Sequence, residues 1–149
     1  MISVGEPAPD FSLRDQDGED VSLSDFKGRR VMLVFYPADF SPVCSDQLSI
    51  YQEVKPEIAE KGVELVGISV DGAWAHRAFR EKLGIDTTLL SDFEPKGEVA
   101  RAYGSYLDTG AANRTLVLVD EDGMVAWTYE SPTPGEFPGA NVIFDALAS

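Results

Sequence analysis

The chain has 149 residues, 44% of them apolar, with 26 Asp and Glu against 12 Lys and Arg, a formal charge of −14 and one cysteine. That length suffices for one compact domain, residues 1–149, to bury a core without metal or disulfide staples. The acidic balance argues against nucleic acid and anionic membrane as partners, since both demand a basic surface, and a lone cysteine excludes an internal disulfide or a cysteine-built zinc cage.

The opening "MISVGEPAPDF" lacks the basic and apolar regions of a secretory signal, and no apolar run reaches the roughly 18 residues a membrane span needs. The expectation is a soluble, cytoplasmic protein. Its acids are scattered along the chain rather than gathered in a tail, a pattern consistent with a solvated acidic shell and a high-salt habitat. "DFSLRDQDGEDVSLSDF" alternates apolar and polar residues around Asp17-Gly18, which predicts an N-terminal β-hairpin. The continuous apolar run of "RVMLVFYP" predicts a central strand, residues 31–36, buried on both faces and stopped at Pro37.

From Ser41 the period becomes helical. Cys44, Leu48, Tyr51 and Ile58 share one face, and Pro56 is expected to kink the helix. "GVELVGISVD" predicts a second buried strand, and "GAWAHRAFREKLG" a helix that stops on Gly84. A short strand at "TTLLSD", a helix at "EPKGEVARAYG", a hairpin across Asp122-Gly123 in "RTLVLVDEDGMVAWTYE" and a final helix at "NVIFDALAS" complete the order. "SPTPGEFPG" reads as a surface loop. The fold class is therefore α/β, a mixed central sheet flanked by helices.

The chemistry concentrates at "FYPADFSPVCSDQL". Ser41 is a good N-cap and Pro42 suits the first helical position, which puts Cys44 at the third. Backbone N–H groups in a first helical turn lack intrahelical partners and present positive potential, so a thiolate there is favoured. A lone cysteine is often packing, but this one lies at the carboxyl end of a buried strand, where α/β proteins bind ligands. Other residues invite plainer readings. His76 reads as a surface or packing residue rather than a base, and no ligand cluster accompanies it for a metal. Trp74, Phe79 and Leu83 read as core or interface apolars, Trp127 and Tyr129 as alternating strand residues.

Pro37, Ser41 and Cys44 stand as P-x-x-x-S-x-x-C, which resembles the active-site motif of the peroxiredoxins, thiol peroxidases of thioredoxin-like fold. "GEPAPDFSLRDQDGEDVSLSDFKG", "ISVDGAWAHRAFREKLG", "LLSDFEPKGEVARAYG" and "NRTLVLVDEDG" resemble the family pattern in the same order. The chain is most similar to the alkyl hydroperoxide reductase E and bacterioferritin comigratory protein groups, in a one-cysteine version. The resemblance implies that Cys44 is the peroxidatic cysteine, Pro37 shields the pocket, Ser41 hydrogen-bonds the peroxide and Arg114 is the active-site arginine. The Cys44 and Val43 amides are expected to face the same oxygens. Ser41 replaces the commoner threonine, and Gln47 stands where many members have glutamate. Thioredoxins proper would show C-x-x-C and a proline before the penultimate strand; Ser41 and, approximately, Arg114 occupy those places.

The implied activity is reduction of hydrogen peroxide or organic hydroperoxides through a Cys44 sulfenic acid. With no second cysteine, an external thiol such as thioredoxin, glutaredoxin or a small thiol must resolve it, and no metal, flavin or nucleotide cofactor is implied. The family resemblance also implies a homodimer. The alternative is a redox-sensing or binding module of the same fold, with Cys44 as a switch.

Overall fold

The computed structural model describes residues 1–148; Ser149, the end of the expected last helix, lies outside the described residues. Seven strands form one sheet: β1 (Ser12–Arg14), β2 (Asp20–Ser22), β3 (Arg30–Phe35), β4 (Val63–Ser69), β5 (Thr88–Ser91), β6 (Thr115–Val119) and β7 (Val125–Glu130), in the spatial order β2-β1-β5-β4-β3-β6-β7. The helices are α1 (Pro42–Glu60), α2 (Ala73–Leu83), α3 (Glu98–Ala102) and α4 (Ala140–Ala148), with a short 3-10 turn over Leu23–Phe26.

Strands β3, β4 and β5 run parallel, β6 lies antiparallel to β3, and β7 closes the far edge as the second half of the expected hairpin. The N-terminal hairpin forms as predicted and is joined to the sheet through Arg14 opposite Ser91. After Arg30, β3 is apolar from Val31 to Phe35 because both of its faces are covered. Met32, Val34 and Tyr36 face a core built with α1, α2 and α4, while Val31, Leu33 and Phe35 face a second core with α3, Leu23 and Phe26. Burying a side chain of this size stabilises the fold by about 1.5–3 kcal/mol, so the two cores hold the sheet from both sides.

α1 behaves as its apolar spacing demands, with Cys44, Leu48, Tyr51 and Ile58 all buried on one side. It continues through Pro56 to Glu60, so the proline does not end it. α2 stops where Gly84 adopts φ 66°, a conformation that costs glycine little. α3 is shorter than "EPKGEVARAYG" suggests. Asp92, just beyond β5, places its two carboxylate oxygens on the Val99 and Ala100 amides, and this long-range cap starts the helix late. Burial, opposed by those amide bonds, raises the Asp92 pKa. Phe79 is buried, Leu83 half-buried and Trp127 stacks with Tyr129 on β7. Trp74 is not a core residue: it is 82% exposed, with the Arg77 guanidinium over its ring.

Candidate active site

The sheet register assembles the site. Phe35 pairs with Thr115 on β6 and with Ile68 on β4. Immediately past the end of β3, therefore, the chain has Arg114 on one flank and the loop from Ser69 to Asp71 on the other. Into that gap run residues 37–41, which carry Pro37 and Ser41 to the start of α1. Three strand ends thus converge on one helix N-terminus, the usual ligand position in an open α/β sheet.

Ser41 is the N-cap and Pro42 the first helical residue, as the sequence predicts. Cys44, at the third position, is completely buried and unpaired. Its amide donates to Ser41 Oγ over 3.4 Å, the cap completing the helix start. The Ser41 hydroxyl proton is not consumed by that bond. Pro37 is half-buried where the loop leaves β3. Phe40 adopts φ 68°, a left-handed conformation rare for an aromatic residue, at a cost of about 1–3 kcal/mol. Its ring packs on Phe79 and lies beneath the Lys82 ammonium.

Arg114 is 1% exposed. Without its structural setting it would read as a solvated strand-edge arginine, yet it is among the largest fully buried side chains. Its Nη1 donates to Gln47 Oε1 at 2.8 Å and its Nε to the Pro134 carbonyl at 2.6 Å. Gln47 follows Cys44 by three residues, so the guanidinium is held one helical turn along the same face of α1. Among the described residues, the remaining N–H groups of the fork have no protein acceptor and are available to a ligand.

The sequence departure at Gln47 therefore resolves as a neutral hydrogen-bond link. Gln47 Nε2 donates to Tyr51 Oη at 3.2 Å, and Tyr51 donates in turn to the Pro138 carbonyl. Burial pushes the Tyr51 pKa up, which keeps the phenol a donor. "SPTPGEFPG" is thus more than a surface loop. Its residues 132–136 are exposed, but the Pro134 and Pro138 carbonyls turn inward to Arg114 and Tyr51. Sequence reading missed both carbonyls because backbone acceptors carry no residue signature.

Of the two readings of His76, surface or packing, the structure selects packing, though of a polar kind. The residue is completely buried and polar in its contacts, with Nδ1 2.7 Å from Asp39 Oδ2 and Nε2 3.0 Å from the Leu90 carbonyl. Asp39, His76 and Asp71 lie close enough together to suggest a metal cluster. The 2.7 Å separation of Nδ1 and Oδ2 is a hydrogen bond between the two would-be ligands, and Asp71 Oδ2 already accepts from the Asp39 amide and the Ser69 hydroxyl. The cluster is a hydrogen-bonded network.

Residues 4–128 match the model of the AhpC/TSA family. Alkyl hydroperoxide reductase E of Mycobacterium tuberculosis (strain ATCC 25618 / H37Rv) is 36% identical over 151 aligned positions, covering 100% of this chain and 98% of that protein. A chloroplastic peroxiredoxin Q of Oryza sativa subsp. japonica is 41% identical over 133 positions, 87% of this chain; the chain spans only 60% of that relative's length. Among solved structures, peroxidoxin BcpB from Mycobacterium tuberculosis superposes with a TM-score of 0.84 at 30% identity, covering 99% of this chain and 96% of that one. The cysteine at a capped helix start and the arginine that strand register brings to Gln47 of the same helix therefore stand in a chain that belongs to the AhpC/TSA family and has the thioredoxin-like fold of the peroxiredoxins.

Proposed function

We propose that the chain is a one-cysteine thiol peroxidase acting on hydrogen peroxide or organic hydroperoxides. The observation that supports it most is the buried Arg114 guanidinium, fixed by Gln47 beside the helix turn that carries the only cysteine, with N–H groups left over. A guanidinium favours thiolate over thiol and offers paired donors to two adjacent oxygens.

In this reading the Cys44 thiolate attacks the terminal peroxide oxygen. An S–O bond forms, the O–O bond breaks, and sulfur loses the two electrons that the departing oxygen gains. That oxygen takes a proton and leaves as water or alcohol. Arg114 stabilises the charge as it passes between the oxygens, Ser41 donates its hydroxyl proton to one of them, and Pro37 shields the pocket from bulk water. The sulfenic acid then condenses with an external thiol, releasing water and leaving a mixed disulfide. A second thiol releases Cys44 by exchange. Such a cycle suits a reducing compartment such as the cytoplasm and is compatible with a homodimer; thioredoxin, glutaredoxin and small thiols are the candidate reductants.

Intact-mass spectrometry tests this directly. Peroxide alone is expected to add oxygen atoms to Cys44 up to the sulfinic acid; peroxide with limiting small thiol is expected to add that thiol less two hydrogens. Continuous peroxide consumption with excess thiol completes the evidence for turnover. A covalent dimer through Cys44 as the main product, or a single oxidation without cycling, overturns the reading, and the second result marks a redox sensor.

A further inference from the structure

Residues 37–41 are held in place by a buried polar cluster that the peroxidase mechanism does not use. A left-handed aromatic such as Phe40 persists only where the surroundings fix the backbone. The fixing contacts centre on the neighbouring Asp39. Its carboxylate accepts from the Tyr36 hydroxyl at 2.6 Å and meets His76 Nδ1 at 2.7 Å. Its amide donates to Asp71 Oδ2 at 2.8 Å, and that oxygen also accepts from the Ser69 hydroxyl. His76 reaches onward from α2 to β5. A carbonyl can only accept, so His76 Nε2 carries a proton and donates to Leu90.

The loop is thereby stitched to the segment just after β4 and, through His76, to helix α2 and strand β5. Gly67 makes room for the cluster, since a Cβ there would lie 2.7 Å from a Leu89 methyl and 3.2 Å from the Tyr36 ring. Tyr36 is completely buried, and burial together with the Asp39 charge keeps its phenol protonated.

We propose that His76 and Asp39 are positioning residues for the peroxide reaction: they fix residues 37–41 so that Ser41 and the start of α1 meet the peroxide in reacting geometry. Neither touches the sulfur or the substrate; both act through the loop. The inference rests on the thiol-peroxidase reading.

The test compares wild type with His76→Phe, Asp39→Ala and Asp39→Asn. Two rates are measured on each protein: oxidation of Cys44 by hydrogen peroxide, and alkylation of Cys44 by iodoacetamide, which requires a thiolate but no peroxide geometry. His76→Phe and Asp39→Ala are expected to slow oxidation by about 10²-fold, the scale of a small misplacement of reacting groups, while alkylation is undiminished. In Asp39→Asn the new amide donates to a neutral His76 Nδ1 and its oxygen still accepts from Tyr36, so most of the oxidation rate returns. If His76→Phe does not fold, His76→Gln, which keeps part of the bonding, is expected to show an intermediate loss.

Folded variants that oxidise at the wild-type rate overturn the proposal. So does a parallel fall in both rates, or an Asp39→Asn rate as low as that of Asp39→Ala. A wild-type protein that peroxide oxidises no faster than free cysteine overturns the peroxidase reading itself, a result distinct from fast oxidation in every variant.

Discussion

Arg114 donates to Gln47 across 2.8 Å, and this one bond sets the direction of a longer chain. Guanidinium has donors only, so Gln47 must present its oxygen to Arg114 and its nitrogen to Tyr51, whose own proton is then free for the Pro138 carbonyl. Tyr51→Phe removes the middle link and leaves a buried amide without its acceptor. The expected cost is about 1–3 kcal/mol of stability, measured by urea unfolding, with faster hydrogen exchange at amides in residues 131–139. Exchange equal to wild type would show that Tyr51 does not tether this segment.

Arg114 itself should dominate the peroxide step. Arg114→Ala is expected to slow Cys44 oxidation by at least ~10²-fold, the scale for losing a main donor to developing charge. Arg114→Lys should rescue only in part, because an ammonium has no planar fork with which to satisfy Gln47, Pro134 and a peroxide together. Rapid-mixing measurement of Cys44 oxidation decides it, and a wild-type rate in folded Arg114→Ala would remove the residue from the site.

Ser41 caps α1 through its oxygen, and in the proposed mechanism it also offers its proton to substrate, two duties that substitution can separate. Ser41→Thr preserves both and is expected to be nearly silent. Ser41→Val loses both, at about 0.5–2 kcal/mol of stability together with a slower peroxide reaction. Thermal melts and oxidation rates on the same samples separate the effects; unchanged oxidation in Ser41→Val would limit Ser41 to capping.

Away from the site, Asp86 accepts from Lys55 and from Gln52, each at 2.8 Å. The Lys55 hydrogen bond, followed by that from Gln52, lowers the Asp86 pKa below the ordinary carboxylate value. A depressed folded pKa contributes stability above the unfolded value and loses it as pH falls through the folded value. The Asp86 side chain is 72% exposed, so solvent screening limits the contribution to at most ~1 kcal/mol. Asp86→Asn should therefore be slightly less stable than wild type at pH 7, with the gap closing below the ordinary carboxylate range. A gap that is constant with pH would refute the assignment to this charge.

The local code of this chain was legible without a structure wherever the physics is local. Ser41-Pro42 marks a helix start because capping and proline geometry act within one turn, and the apolar run of β3 marks a strand covered on both faces. Those signals alone place Cys44 at a first helical turn. What stands beside it is another matter. Arg114 is 70 positions away in sequence and becomes a buried neighbour of α1 only because Phe35 pairs with Thr115. The lone histidine reads as packing or surface from its helical position, and its tie to Asp39 arises because parallel pairing of β3 with β4 brings the start of α2 alongside the loop after β3. The Pro134 and Pro138 carbonyls are invisible to any reading by residue type, since every residue has one. Nearest-neighbour energetics wrote the elements into the sequence, and strand register, a sum over many weak contacts between distant segments, decided which side chains and carbonyls those elements bring together.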